Sequence, residues 1–172
     1  MKEIVLDSMP DELCVRLADG TDRALLERLW LMFQHDLSQF RGLLPSPDGS
    51  FRSERLDAAF HDADWIAYLL MSGERPAGFA LVRGLTGSTR VLNSFFIVRG
   101  ARRTGIGLRG VREVVARHPG PWQVAFQDGN VPAVHFWRRV VAEISPGRWT
   151  EERRVSPTLP HLPPDIWISW PT

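Results

Sequence analysis

The stretch "RRTGIGLRG", residues 102–110, places three glycines between an apolar segment and a helical pattern. The segment before it, "VLNSFFIV" (91–98), predicts a strand, and after it Leu108, Val111, Val114 and Val115 recur at helical spacing. At such a junction, free backbone N–H groups and the positive end of the helix dipole point at one spot. The stretch therefore predicts a phosphate-binding turn, and the fold class depends on which phosphate it holds.

One interpretation of this turn is a dinucleotide site, because Gly105 begins the spelling G-x-G-x-x-G. An acidic residue about 20 positions further on should then bind a ribose, and Asp128 stands near that position. Two features disfavour this interpretation. The six residues 99–104 separate the strand from the first glycine, and only one helix and two extended segments follow Asn130, where further strand and helix units are needed.

A second interpretation begins upstream, because Arg102 opens the spelling R-x-x-G-x-G. Downstream, Asn130-x-x-Ala133 precedes the aromatic pair Phe136 and Trp137. These two motifs, in this order, resemble the two signatures of the GCN5-related N-acetyltransferase (GNAT) family, and the resemblance covers nearly the whole chain. It implies an α+β, α/β sandwich-like GNAT fold, with a mixed, mostly antiparallel sheet and helices on both faces, in a single domain over residues 1–172.

The predicted elements follow the order that this resemblance implies. Apolar and polar alternation with flanking turn residues predicts strands at 11–19, 65–72, 77–84, 89–99, 122–127, 147–155 and 165–170. Helical spacing predicts helices at 20–40, 51–62, 105–120 and 131–143. Thr21 or Asp22 is the expected cap of the first helix, and Asn130 is the expected cap of the last.

By resemblance, the turn holds the pyrophosphate of acetyl-CoA, which is a cosubstrate. The local charge agrees, since several arginines crowd this region and guanidinium groups pair well with phosphates. Of these, Arg112 and Arg117 are interpreted as a solvated helix face. We interpret Gly110 as incidental, and expect Gly105 and Gly107 to leave room for the ligand. The expected coenzyme contacts are Ile97, Val98, Arg99, Arg102, Arg103, Thr104, Gly105, Ile106, Gly107, Leu108, Asn130, Ala133, Phe136 and Trp137.

The resemblance also implies that an amine attacks the acetyl thioester directly, without a covalent enzyme intermediate. The main chain at Ile97 and Val98 would polarise the thioester carbonyl. Cys14 is expected to be a packed thiol rather than a nucleophile, since it has no adjacent histidine. The first candidates for a general base are His35 and Asp36. The others precede the predicted strand at 65–72, and they are His61, Asp62 and Asp64.

One position departs from the family pattern. Trp137 stands where many members have the tyrosine that protonates the leaving thiolate, and an indole is no useful acid. The only tyrosine, Tyr68, is expected to pack in the core. Two functions follow: an acetyl-CoA-dependent N-acetyltransferase that modifies a primary amine, or a catalytically silent module that binds acyl-CoA.

Composition limits the partners. The net charge is +1, Lys2 is the only lysine, and the five histidines show no clustered ligand spacing, so neither nucleic acid nor a metal is expected. No apolar run is long enough to span a membrane, and residues 1–10 lack a signal-peptide pattern, which predicts a soluble, cytoplasmic protein. The expected acceptor is a small-molecule or peptide amine, and a homodimer is left open. Trp149, Trp167 and Trp170 suggest an apolar-walled acceptor cleft, and core packing explains them as well.

Overall fold

A computed structural model describes residues 12–156 and 160–172. The strands in these ranges are β1 (Leu13–Leu17), β2 (Trp65–Ser72), β3 (Arg75–Arg83), β4 (Arg90–Ile97), β5 (Trp122–Gln127), β6 (Thr150–Arg154) and β7 (Asp165–Trp170). The α-helices are α1 (Arg23–Arg41), α2 (Glu54–His61), α3 (Ile106–Ala116) and α4 (Val131–Ile144). Residues 1–10, on which the absence of a signal peptide was predicted, and residues 157–159, within the proline-rich stretch "SPTLPHLPP" (156–164), lie outside the described residues.

The seven strands form one sheet in the order β1-β2-β3-β4-β5-β7-β6. Neighbouring strands are antiparallel except β4 and β5, which are parallel. One apolar cluster joins α1 and α2 to one face of the sheet, and a larger cluster joins α3 and α4 to the other face. The mixed, mostly antiparallel sheet with helices on both faces is therefore confirmed.

The two central strands separate part of the way along. β4 and β5 pair only from Arg90 to Leu92, against Trp122 to Val124, and beyond this point β5 pairs with β7 alone. The separation starts where β4 carries a bulge, because Leu92 and Ser94 both pair with β3 while the residue between them has no partner there. A V-shaped opening results, and its main chain on the β4 side is free to bind a ligand.

The entry to α1 differs from the prediction, because a 3-10 turn, Gly20–Asp22, precedes the helix. Asp19 caps this turn by accepting from the Thr21 N–H, and Asp22 reaches back to the Asp19 N–H. Neither Thr21 nor Asp22 caps α1 through its side chain. The Asp22 carboxylate instead accepts two hydrogen bonds from Arg16 of β1, at 2.7 and 2.8 Å, and so ties the helix to the sheet edge.

This ion pair makes stability depend on pH. Hydrogen bonds from Arg16 lower the pKa of Asp22 from 3.8 to about 2. A folded-state pKa below the unfolded value stabilises the protein above about pH 4, and the stabilisation is lost as the pH falls toward 2. Because Asp22 is buried, we expect the loss to be about 2 kcal/mol. In Asp22→Asn, urea unfolding between pH 5 and 2.5 should show lower stability at pH 5 and a shallower decline; an unchanged slope would contradict this.

The third glycine of the turn motif packs against the sheet. Gly110 lies buried on α3, where a Cβ atom would come 2.4 Å from Cδ2 of Leu70 on β2. Real side-chain contacts do not reach this distance, so any larger residue requires Leu70 or the helix to shift. Gly110 therefore has a packing role, and the prediction that it is incidental to phosphate binding stays a prediction.

Candidate functional site

The loop between β4 and α3 presents its main chain outward. Arg103 has φ 67° and Gly105 has φ 86°, so two left-handed residues alternate with ordinary ones before the helix begins. Such alternation turns successive N–H groups toward one point, as in the nests that bind anions. Among the described residues, the N–H groups of 103–108 have no backbone acceptor. The loop and the first turn of α3 therefore form a cradle for an anion.

Two side chains fix the shape of this loop from within. The Thr104 hydroxyl donates to the carbonyl of Ala101 at 2.7 Å. The Arg102 guanidinium donates through Nε to the carbonyl of Ile97 at 2.9 Å and lies 5.7 Å from the centre of the Phe96 ring. Arg102 thus holds the end of β4 against the loop, although its side chain is exposed to solvent.

A carboxylate on α1 completes this arrangement. Asp36 accepts from Arg99 at 2.7 Å and also forms an ion pair with Arg102. Burial raises the pKa of Asp36, but hydrogen bonds from Arg102 and Arg99 outweigh it and leave the pKa below its usual value. The two arginines lie 63 and 66 positions from Asp36 in the sequence, so no local motif joins them. This geometry favours a positioning role for Asp36 over that of a general base.

The main chain of β4 faces the opening with alternate N–H groups. The Val98 N–H donates to the carbonyl of Ala77 at 2.8 Å and is therefore unavailable to a ligand. Because consecutive N–H groups of an extended chain point in opposite directions, the Ile97 N–H is directed toward β5, which has separated at this level. Main-chain donation by Ile97 stays a prediction, and its orientation supports it.

The wall formed by α4 is aromatic. Asn130 caps this helix by accepting from the Ala133 N–H at 3.2 Å, as expected. Phe136 stacks on Phe95 of β4, with ring centres 5.8 Å apart. Trp137 is 5% exposed and meets the same phenylalanine edge-on at 5.6 Å. Trp137 is thus a packing residue that cannot stack on an adenine ring where it stands.

The ring of Phe136 explains one glycine of the motif. A Cβ atom on Gly107 would come 3.0 Å from the Phe136 ring and 3.7 Å from Ile97. Gly107 therefore allows α3 to approach α4 and β4, and it does not simply make room for a ligand. Gly105 differs, because nothing lies within 4 Å of its Cβ position and its positive φ is what favours glycine.

Comparison with known proteins connects this geometry to a fold. No protein-family model and no curated protein matches the chain. Solved structures do: an acetyltransferase from Thermus thermophilus is 18% identical, with a TM-score of 0.65 over 93% of this chain and 97% of that one. The chain has the GNAT fold. Another GNAT-family acetyltransferase, from Staphylococcus aureus, is 14% identical with a TM-score of 0.63 over 91% of this chain and 98% of that one.

Two further structures with the GNAT fold hold ligands. The aminoglycoside acetyltransferase AAC(6')-Ib, in complex with coenzyme A and kanamycin, is 13% identical, with a TM-score of 0.64 over 93% of this chain and 95% of that one. Arabidopsis thaliana NAA60, in complex with a bisubstrate analogue, is 15% identical, with a TM-score of 0.59 over 94% of this chain and 99% of that one. Coenzyme A and kanamycin are ligands of AAC(6')-Ib, and the bisubstrate analogue is a ligand of NAA60.

Within this GNAT fold, the other base candidates lie away from the opening or are engaged. His35 is exposed on α1, and His61 and Asp62 are exposed at the end of α2. Asp64 accepts from the N–H groups of Gly84 and Thr86, and so holds the turn after β3. Among the described residues, the structure thus gives no hydrogen bond that would orient the side chain of His35 or His61, and Asp64 is held by its turn.

Two other side chains differ in how they follow the sequence prediction. Tyr68 is 2% exposed and hydrogen bonds to Nε2 of His118 at 2.6 Å, so its expected core position is confirmed. Cys14 is exposed, and the prediction of a packed thiol was wrong. Alternation along β1 buries Val15 and turns Cys14 to the other face. Since β1 is three strands from β4, Cys14 has no part in the opening.

For two of the three tryptophans, the structure favours core packing over the wall of an acceptor cleft. Trp170 is 2% exposed, and both it and Trp149 pack in the apolar cluster on the α3 and α4 face. Trp167 alternates with the buried Ile166 and Ile168, and so lies on the opposite face. Spacing along a strand could have separated Trp167 from Trp170, because an odd interval places them on different faces.

The face that carries Trp167 is polar where β5, β6 and β7 form it. The Arg154 guanidinium lies 4.7 Å from the centre of the Trp167 ring, and Arg41 at the end of α1 forms a 2.6 Å ion pair with Asp165 of β7. The helices α1 and α2 pack mainly on β2 and β3 and leave this part of the sheet open. No local sequence signal marked these residues, since they come from distant segments.

Two searches bear on metals and membranes. Over residues 12–156 and 160–172, no group of three or more His, Cys, Asp or Glu side chains could hold a metal ion. Over the same ranges, none of the helices combines the length and the apolar character needed to cross a membrane.

Proposed function

We propose that the chain is an acetyl-CoA-dependent N-acetyltransferase that transfers an acetyl group directly to a primary amine. One observation carries the proposal: the opening between β4 and β5 lies next to an anion cradle made of main-chain N–H groups. A coenzyme A molecule has the matching shape, with a pyrophosphate near one end and an extended arm that ends in the thioester. The ligands of AAC(6')-Ib and NAA60 support an amine acceptor, either a small molecule or a peptide.

Each part of the coenzyme would meet a group of suitable chemistry. The N–H groups of 103–108 would bind the pyrophosphate, and Asn130 and Ala133 at the start of α4 would flank the arm on the other wall of the opening. The unpaired edge of β4 would hydrogen bond the amides of the arm as a neighbouring strand does. The Ile97 N–H would then meet the thioester carbonyl, where negative charge develops during attack.

In the transfer step, the amine nitrogen forms a bond to the carbonyl carbon, and collapse of the tetrahedral intermediate breaks the carbon–sulfur bond. The amine is mostly protonated at pH 7, so it must first lose a proton. Asp36 is engaged by two arginines and His35 faces solvent, so neither side chain is well placed as a base. We assign both proton transfers, from the ammonium and to the thiolate, to water in the open V.

The second candidate function is a silent acyl-CoA-binding module, which is favoured by the buried Trp137 at the position of an acid. Release of free thiol from acetyl-CoA across a panel of amines, together with calorimetric binding of coenzyme A, separates the two. Turnover of any amine establishes the transferase. Tight binding without turnover on any amine would establish the silent module, and failure to bind would contradict both.

The coenzyme cradle has its own test. Arg103→Glu places a negative charge beside the expected pyrophosphate, and Arg103 is exposed and forms no ion pair within the described residues. We expect the dissociation constant for coenzyme A to rise about tenfold to a hundredfold. Arg148→Glu, in the exposed turn after α4, makes the same change of charge about 20 Å along that helix from Asn130 and should leave affinity within about twofold.

The comparison of the two variants by calorimetry at one salt concentration decides the assignment. Equal weakening by both substitutions would attribute the effect to overall charge and count against the loop. Unaltered affinity in Arg103→Glu would place the pyrophosphate elsewhere.

A further inference from the structure

We propose that the acceptor amine carries an anionic group, a carboxylate or a phosphate, which binds Arg55 and Arg83 on the open face of the sheet. This inference rests on the proposed function, because it names the class of amine that the same site accepts. It departs from the polycationic kanamycin that AAC(6')-Ib holds.

The position of Arg55 follows from its neighbours. Arg55 is the second residue of α2, and the charges that act on it most strongly belong to Arg52, Arg83, Asp165 and Arg41. Arg83 ends β3 on one side of β4 and β5, at the level where these two strands still pair, and Asp165 begins β7 on the other side, beyond the point of separation. Because the Arg55 guanidinium interacts with both charges, we place it over the sheet between these two levels.

Arg83 shares this face. Along β3, Phe79 and Leu81 pack against α1 and α2, and alternation places Arg83 on the same side. Arg83 is half-buried and forms no ion pair with a described residue. The nearest acid that it influences is Asp64, whose carboxylate is already held by the turn after β3.

The charge on this surface is not balanced by the residues around it. Of the four charges that act most on Arg55, three are positive, and the negative one, Asp165, is already bound to Arg41 at 2.6 Å. Arg52 is paired with Glu54 at 3.1 Å. Within the described residues, Arg55 itself has neither a hydrogen bond nor an ion pair.

Neighbouring protein and like charges act on the Arg55 guanidinium. Its side chain is solvent-exposed, yet desolvation by the surrounding protein, followed by the charges of Arg52 and Arg83, lowers the pKa of the guanidinium. A cation held in such a place without a counterion is stabilised by any anion that enters. Guanidinium groups bind carboxylates and phosphates through paired, charge-assisted hydrogen bonds, which also orient the ligand.

The acceptor must be oriented so that its amine reaches the thioester. An anionic group fixed by Arg55 and Arg83 would leave the amine of the same molecule free to reach the thioester beside β4. A polyamine would instead meet an excess of positive charge, since like charges repel at this range. The surface therefore selects amines that bear a negative group.

The test compares amines that differ only in that group. Phenylalanine and phenethylamine form one pair, and O-phosphoethanolamine and ethanolamine form the second, so that the two pairs separate a carboxylate from a phosphate. We expect kcat/KM for the anionic member of at least one pair to exceed that of its neutral partner about tenfold or more. In Arg55→Gln, this preference should fall about tenfold through a rise in KM for the anionic member.

The control variant is Arg28→Gln, since Arg28 is exposed on α1, about 20 Å along the helix from Arg41, and forms no ion pair among the described residues. It should keep the preference. Equal rates for both members of each pair, or an equal effect of Arg55→Gln on both, would overturn the inference while leaving the transferase intact.

A third measurement covers the case in which no amine is acetylated, which would contradict the proposed function alone. Calorimetric titration with N-acetylphenylalanine and N-phenethylacetamide, in the presence of coenzyme A, then reports anion binding directly. Tighter binding of the carboxylate, lost in Arg55→Gln and kept in Arg28→Gln, would support the inference. Equal binding of both compounds would overturn it.

Discussion

Gly78→Ala should destabilise the protein by about 3 kcal/mol or more, because a Cβ atom there would lie 1.9 Å from the main-chain oxygen of Phe96. Gly78 follows a bulge in β3 and pairs with Ile97 at the end of β4. The colliding atom belongs to the backbone and cannot move aside as a side chain can. The two strands would have to part at the very position where β4 faces the opening.

Thermal and urea unfolding would measure this effect, and a loss of this size corresponds to a fall in Tm of about 10 °C. Gly129→Ala is the matched control, since nothing lies within 4 Å of its Cβ position and its φ is not in the left-handed region. It should change stability by less than about 0.5 kcal/mol. A Gly78→Ala protein as stable as this control would show that β3 and β4 lie further apart.

Gly110→Val and Leu70→Ala should each destabilise the protein, and should compensate when combined. The valine adds three carbons where even one would lie 2.4 Å from Leu70, and Leu70→Ala removes three from the same fully buried place. We expect each single change to cost about 3 kcal/mol, the first by overpacking and the second by leaving a cavity. The double variant should be more stable than the sum by about 1 kcal/mol or more.

Urea unfolding of the four proteins gives this coupling energy directly. Ile168→Ala, in a fully buried position on β7, is the control partner for Gly110→Val, because β3, β4 and β5 separate its strand from β2. That pair should add within about 0.5 kcal/mol. Simple additivity of Gly110→Val with Leu70→Ala would mean that the two residues do not meet.

The bounds of strands and helices could be predicted closely from the sequence where apolar periodicity and the flanking turn or capping residues indicate the same positions. β5 was predicted at 122–127 and is observed as Trp122–Gln127, and the Asn130 cap of α4 was correct. At the start of α1, the predicted Asp22 occupies the N-cap position but makes no capping hydrogen bond with its side chain. Arg16 draws Asp22 toward β1, and such a tertiary contact leaves no local trace.

In the candidate site too, local features could be predicted and contacts between distant segments could not. The loop could be predicted because left-handed glycine and a helix start are local features. The partners of its arginines could not, because Asp36 lies 66 positions from Arg102 and on another element. Likewise Arg55, Arg83 and Asp165 share one surface only through the sheet order, in which β7 lies beside β5.

A cradle built from main-chain N–H groups constrains few of the side chains in its sequence. Every residue except proline carries the same N–H donor, so many substitutions in 103–108 leave the donors in place. The fixed requirements are a left-handed residue at Gly105 and little bulk at Gly107 and Gly110. Substitutions can therefore accumulate while an anion cradle of this kind is kept, and a chain can retain this architecture at 18% identity or less to its structural neighbours.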